Sequence, residues 1–225
     1  MRNAAYGSKI NQLTTGVDVG CTFTSKIGEP VVPWYQPLKR GMDLFFGVFG
    51  LLMSSPIILL FAILIKATSK GPIFYIQQRV GFLGQAFCLI KLRSMRQDAE
   101  KVTGAVWASA TDSRVTAVGR FMRRTRIDEL PQLWNVIVGD MSLIGPRPER
   151  PNFTEKFSQE FAEFPQRLRV KPGITGYAQI HGGYDLDPGK KARLDNFYIT
   201  HMSAKLEIEI LIGTIRVIFT GDGAR

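Results

Sequence analysis

The sequence predicts a mainly helical α+β protein held on one face of a membrane, a monotopic arrangement of a re-entrant apolar helix hairpin, interfacial amphipathic helices and one small β-hairpin. Three observations carry that prediction. An apolar run from Met42 to Ala67 is interrupted at Ser54-Ser55-Pro56. Two β-rich runs, Ile73 to Val80 and Gln85 to Leu92, are joined by Gly81-Phe82-Leu83-Gly84. Elsewhere apolar residues recur at helical spacing, as in Leu130, Leu133, Trp134 and Ile137, the pattern of one buried helical face.

Residues 1–37 are rich in Gly, Thr and Ser without a period, which predicts a disordered N-terminal tail and leaves 38–225 as one domain. The hairpin segment 42–67 exceeds the roughly 20 apolar residues that span a bilayer. Pro56 removes a backbone donor and crowds the preceding turn, so the expectation is two half-helices of about ten residues, each roughly 15 Å long. Each would reach about halfway through a hydrocarbon core of about 30 Å. The Ser54 and Ser55 hydroxyls are the nearest partners for the carbonyls that the break sets free. Lys39 and Arg40 precede the run, and Lys66 and Lys70 follow it, so both ends carry the positive charge of a cytoplasmic face. A hairpin that enters and leaves by the same leaflet satisfies both ends; a kinked single span is the other arrangement. The run starts too late for a secretory signal, and no small-residue cleavage site follows it.

Residues 73–92 predict the β-hairpin. Lys91 and Arg93 at its end either reach a phosphate or act as edge charges that keep the sheet soluble. In the next helix Pro131 is tolerable only in a first turn, which puts Asp128 and Glu129 at the N-terminus, where free N–H groups and the positive dipole end favour anions. The plain structural reading makes Asp128 an N-cap, worth about 1 kcal/mol. Its surroundings weigh against that reading. Arg114, Arg120, Arg123, Arg124 and Arg126 precede the pair, and Arg147 and Arg150 follow it around a proline-ribbed loop, Gly145-Pro146-Arg147-Pro148. Guanidinium is well shaped for bidentate phosphate contact, and a stiff loop loses little entropy in presenting it. Phe157, Phe161 and Phe164 form a helically spaced stripe, simplest as packing. Residues 205–219 are apolar apart from Lys205, Glu207, Glu209 and Arg216; a buried strand followed by a helix would fit, but an interfacial helix is preferred.

Composition narrows the function class. The 225 residues are 45% hydrophobic with a net charge of +10. Arg2, Lys9 and Lys26 against Asp18 and Glu29 give residues 1–37 a net +1, so +9 belongs to the remainder. That basicity would attract anionic lipid headgroups and also nucleic acid, and charge alone does not choose between them. Cys21 and Cys88 cannot make a disulfide framework, and His181 and His201 are the only histidines, which leaves zinc chemistry poorly supplied. A hard cation held by carboxylate and phosphate, Mg2+, is the metal that suits the remaining ligands.

Seven motifs then occur in order: Lys39-Arg40 before the broken apolar run, Lys91-Leu92-Arg93-Ser94-Met95, Asp112-Ser113-Arg114-Val115-Thr116, Asp128-Glu129-Leu130-Pro131-Gln132-Leu133, Gly139-Asp140-Met141-Ser142-Leu143, Gly145-Pro146-Arg147-Pro148 and Lys171-Pro172-Gly173-Ile174-Thr175-Gly176. Over residues 38–225 the chain resembles the bacterial sugar transferases, the monotopic polyprenyl-phosphate phosphoglycosyl transferases. The resemblance implies an enzyme on the cytoplasmic face of the bacterial inner membrane that performs the first membrane step of surface glycan assembly. Its substrates would be a nucleotide diphosphate sugar, a UDP-sugar, and undecaprenyl phosphate, with membrane lipids as surroundings and no nucleic acid as partner; an oligomer is compatible with it. Asp128 matches the family's nucleophile, which takes up a phosphosugar and shares in binding Mg2+. Glu129 matches the second acid of that dyad and would assist metal or proton handling. Arg123 and Arg147 match phosphate-contacting arginines, and Ser55-Pro56 the break in the membrane helix. A non-catalytic basic membrane-surface binder is the alternative; it would need the apolar run and the charge, but neither Asp128-Glu129 nor the Gly-Pro-Arg-Pro loop. No residue here identifies the sugar.

Overall fold

A computed structural model describes residues 26–97, 99, 113–183 and 186–220; most of the predicted tail, with Cys21, and the Asp112 end of one motif lie outside the described residues. The described chain is mostly helical with two small sheets, and its first element governs the rest. Helix α1, Gln36–Thr68, runs without interruption through Pro56, where two half-helices were expected. The reason lies in the neighbouring hydroxyls. Ser55 Oγ donates to the Leu52 carbonyl at 2.7 Å, the carbonyl that Pro56 deprives of its helical partner. Ser54 Oγ donates to Leu51 at 3.3 Å.

One stripe of α1 is buried, through Lys39, Asp43, Gly47, Ser54, Phe61, Ala62 and Ile65. The opposite face exposes Phe45, Phe49, Leu52, Met53, Leu59, Leu60 and Ile63. Leaving a large apolar side chain in water forfeits about 1.5–3 kcal/mol, so a face of this size demands an apolar cover. Both ends of α1 are tied to the same body. Near the start, Arg40 donates to the Val136 and Ile137 carbonyls at 2.7 and 2.8 Å, and Asp43 Oδ1 accepts from Ser142 Oγ and the Leu143 N–H at 3.1 and 2.9 Å. Lys39, only 7% exposed, donates to the Ile144 carbonyl and pairs with Glu207 at 2.9 Å. Lys39 and Arg40, expected as free flanking charge, are therefore docking groups. Toward the end, Phe61 and Ile65 pack with Leu92 and Met122, and Phe61 stacks on Phe121.

Strands β1, Phe74–Val80, and β2, Ala86–Leu92, form the expected antiparallel hairpin, with Phe74 opposite Leu92 and Val80 opposite Ala86. Helix α2, Ala117–Thr125, is capped by Thr116, whose side chain accepts from the Gly119 N–H. Helix α3 follows at Gln132–Val138, then β3, Ser142–Ile144, and α4, Pro151–Glu160. Strand β4, Gly173–Thr175, lies parallel to β3. The short α5, Tyr177–Ile180, leads into α6, Pro188–Thr200, and α7, Ala204–Thr220. The phenylalanine stripe is core, with Phe157 and Phe164 buried against Ala192, although α4 stops before Phe161 and a 3-10 turn spans Phe164–Arg169. Segment 205–219 lies in one helix and contains no strand; α7 buries Glu207 and Ile210 and exposes Ile208, Ile212, Ile215 and Ile218.

Ordered structure starts earlier than residue 38. The Gly28 N–H donates to Gln166, the Val31 N–H to the Arg169 carbonyl, and Tyr35 Oη to Glu207. This clasp ties the N-terminal segment to distant parts of the chain, which a local search for apolar periods does not detect.

Candidate active site

Asp128 and Glu129 owe their place to a reversal of the chain. Helix α2 ends at Arg126, whose φ of 56° is left-handed, and a 3-10 turn at Ile127–Glu129 follows. The turn tucks both acids inward, Asp128 6% and Glu129 8% exposed. Asp128 is not the cap of α3. The Leu130, Leu133 and Trp134 N–H groups bond the Ile127, Leu130 and Pro131 carbonyls, Pro131 has no N–H, and no side chain caps the helix.

The two acids sit in opposite states. Glu129 is clasped by Lys91 at 3.0 Å and by both terminal nitrogens of Arg147, with Arg126 at 3.8 Å. Burial pushes its carboxyl up, but Arg147 and Lys91 overcome burial and hold it well below the usual range. Ionised and fully partnered, it suits the holding of Arg147 and Lys91 in place better than the proton handling expected of it. Asp128 has no hydrogen-bond donor or ion-pair partner on its carboxylate among the described residues. Burial raises its pKa, with Glu129 adding to the rise and Lys91, Arg123 and Arg147 opposing it.

Both acids open on a cavity of about 410 Å³, whose walls are β1 and β2, the segment around Arg123–Glu129, the proline-ribbed loop, α4 and α6. All six predicted chemical residues, Asp128, Glu129, Lys91, Arg93, Arg123 and Arg147, line it. Their availability differs. Arg93 spends its terminal nitrogens on the Ser69 carbonyl and hydroxyl at 3.0 and 2.8 Å and the Lys70 carbonyl at 2.6 Å, so it ties the end of α1 to β2 rather than reaching for a phosphate. Arg123 Nε donates to Ser94 Oγ at 2.9 Å, which fixes its guanidinium at the wall. Ser55 and Pro56 do not line the cavity.

The loop that presents Arg147 is braced on every side. The Gly145 N–H donates to Thr175 and the Gly173 N–H to Pro146, both at 2.9 Å. A Cβ on Gly145 would fall 2.3 Å from the Lys171 carbonyl oxygen, and one on Gly173 2.1 Å from the Gly145 nitrogen. The Gly-Pro-Arg-Pro and Lys-Pro-Gly motifs, 25 or so residues apart, are thus one unit of touching backbones. Arg167 donates to the Arg147 carbonyl at 2.9 Å while pairing with Asp195 at 2.7 Å.

Sequence reasoning missed a second buried charge group in the same cavity. Glu149 pairs with Lys191 at 2.9 Å and Arg79 at 3.6 Å; burial would raise its carboxyl, but Lys191, Arg167 and Arg79 bring it down to about 2. Glu149 stood two residues beyond Arg147 as a visible signal. Lys191, on a helix whose sequence bears no mark of a site, did not.

Cations converging on a cavity with one unpaired carboxylate can take up a polyanion and offer it a nucleophile. The carboxylate fits one mode of Mg2+ binding. Among the described residues no three His, Cys, Asp or Glu are grouped to hold a metal, and Glu129 and Glu149 are spent on cations, so Asp128 would be a single protein ligand to an ion otherwise held by substrate phosphate and water.

Residues 34–221 match the profile of the family described as bacterial sugar transferase. The chain is 45% identical over 196 residues to the UDP-N-acetylgalactosamine-undecaprenyl-phosphate N-acetylgalactosaminephosphotransferase of Aeromonas hydrophila, covering 86% of this chain and 46% of that protein. It is 59% identical over 151 residues to a Bacillus subtilis (strain 168) protein provisionally named an undecaprenyl-phosphate N-acetylgalactosaminyl 1-phosphate transferase, 65% of this chain and 84% of the relative. With the UDP-glucose:undecaprenyl-phosphate glucose-1-phosphate transferase of Escherichia coli (strain K12) identity is 38% over 202 residues, 84% and 43% of the two chains. The chain spans less than half the length of the Aeromonas and Escherichia relatives.

Proposed function

This chain belongs to the bacterial sugar transferase family, and we propose that it moves a sugar 1-phosphate from a UDP-sugar to undecaprenyl phosphate through a covalent phosphosugar on Asp128. The observation that carries the proposal is the buried, unpaired Asp128 carboxylate facing a cavity walled with cations. In the first displacement an Asp128 oxygen attacks the sugar-bearing phosphorus. That P–O bond forms as the bond to the bridging oxygen breaks, and the electron pair leaves with the nucleoside monophosphate. In the second, an oxygen of undecaprenyl phosphate attacks the same phosphorus, forms the diphosphate and returns the carboxylate. Neither step requires a proton carrier, in keeping with a Glu129 that stays ionised.

What such a transfer needs from the protein is position and charge neutralisation. Arg147 and Lys91, fixed by Glu129, and Arg123, fixed by Ser94, supply both at the reacting phosphorus. Mg2+, when bound at Asp128 and the diphosphate, adds charge neutralisation. We assign α1 to a one-sided position in the inner membrane, with both of its ends and the cavity on the cytoplasmic side and the reaction opening surface glycan assembly. Its two ends held on one body and its exposed apolar face support this. A binding protein without chemistry gives no reason to bury an unpaired carboxylate among arginines.

The test is nucleoside monophosphate release from a panel of nucleotide diphosphate sugars with undecaprenyl phosphate in detergent. Release with at least one sugar, and formation of the lipid-linked product, are expected. No release with any sugar from folded enzyme would overturn the proposal.

A further inference from the structure

A second cavity, about 670 Å³, opens where α1 ends. Thr68, Ser69 and Lys70 form one wall, Thr116, Ala117 and Val118 the other, and Arg96 and Gln97 lie between. Arg96 and Gln97 also line the cavity of Asp128, so the two spaces meet at this pair. The backbone beneath Arg96 is fixed. Its N–H donates to the Arg114 carbonyl at 3.0 Å, and Met95 bridges Val115. Arg93 and Arg123, its neighbours, are engaged with Ser69, Lys70 and Ser94. The Arg96 guanidinium has no hydrogen bond or ion pair among the described residues, and Arg96 is exposed.

The two substrates proposed above reach Asp128 under different constraints. A nucleotide sugar arrives through water. A polyprenyl phosphate keeps its chain among apolar surfaces, so its phosphate must come in beside the membrane element. Leu60 and Ile63, exposed on α1 about two turns before Thr68, and Phe121, exposed one turn after Ala117 and stacked on Phe61, put apolar surface on the two helices whose ends line the second cavity. We propose that the cavity at the end of α1 is the entry site for the phosphate of the lipid acceptor, with Arg96 as the cation that binds it where the two cavities meet and Lys70 in support. The donor then occupies the opposite end, along β1, Arg150 and Phe153. This assignment rests on the two-substrate reading given above.

The test uses the full chain in detergent with undecaprenyl phosphate and a competent nucleotide sugar. Arg96→Ala is expected to raise the KM for undecaprenyl phosphate roughly ten- to hundredfold, as loss of one charged hydrogen bond would, with the donor KM unchanged. Arg96→Lys should recover part of the loss, and Lys70→Ala should show a smaller rise. An unmoved acceptor KM, or a rise in the donor KM instead, would overturn the assignment. Titration with phosphatidylglycerol separates a site for bulk anionic headgroups: a variant altered only in its response to that lipid also overturns it. Steady-state KM values read the acceptor site whether or not a covalent intermediate forms, so failure of the covalent mechanism leaves this test intact.

Discussion

Asp128 and Glu129 are sequence neighbours with opposite energetics, and their variants should separate accordingly. Burial raises the Asp128 pKa, so its contribution to stability is full while it is protonated and falls as pH rises through the raised value. Asp128→Asn should therefore unfold at a higher temperature than wild type at pH 8, by a margin that shrinks as pH falls through the raised value, while turnover drops by orders of magnitude. A variant less stable than wild type at pH 8 would contradict this. Glu149 runs the other way. Held down to about 2, it stabilises the fold above the ordinary carboxylate range and loses that contribution as pH falls toward 2. Glu149→Gln removes the buried carboxylate that pairs with Lys191, and should cost about 3–5 kcal/mol at pH 7, converging on wild type as pH falls toward 2 in denaturant titrations. The residues that meet in the cavity were legible where chemistry clusters along the chain, around Asp128 and Arg147. Arg93 was misjudged, because a guanidinium at a strand end looks the same whether it faces a phosphate or a helix C-terminus. Glu149–Lys191 was invisible, because its partners are 42 residues apart.

Within α1, the Ser55–Leu52 bond takes the place of the one that Pro56 removes. Ser55→Ala should orphan the Leu52 carbonyl and destabilise the detergent-solubilised protein by about 1–2 kcal/mol. Adding Pro56→Ala returns a backbone donor and should recover that loss in thermal unfolding. Equal stability of the single and double variants would refute the compensation. The break was visible in sequence as a missing donor. That the helix persists through it was not, since the outcome turned on whether a hydroxyl one residue away could reach the carbonyl. The β-hairpin was legible from its two β-rich runs and glycine turn, whereas the start of α3 was placed too early, because Asp128 and Glu129 lie in a 3-10 turn and α3 begins only at Gln132.

At the scale of the molecule, α1 and the exposed Ile208, Ile212, Ile215 and Ile218 of α7 present apolar surface from opposite ends of the sequence. Cysteine labelling before Gln36 and after Thr68 in intact cells should find both sites on the cytoplasmic side; access to one end from outside only would exclude the one-sided position. Removing residues 1–25 should leave transfer intact. Removing 1–35 should lower the unfolding temperature, because the Gly28, Val31 and Tyr35 contacts go with it. The domain was legible from the order of its motifs, but the clasp was not, since each of its bonds joins residues more than a hundred positions apart. The covalent step is the centre of the account, and peptide mapping reads it most directly. Wild-type enzyme incubated with nucleotide sugar and Mg2+, without undecaprenyl phosphate, should carry a phosphosugar mass on the peptide containing Asp128, absent from Asp128→Asn. An unmodified peptide from enzyme that turns over once acceptor is added would contradict it.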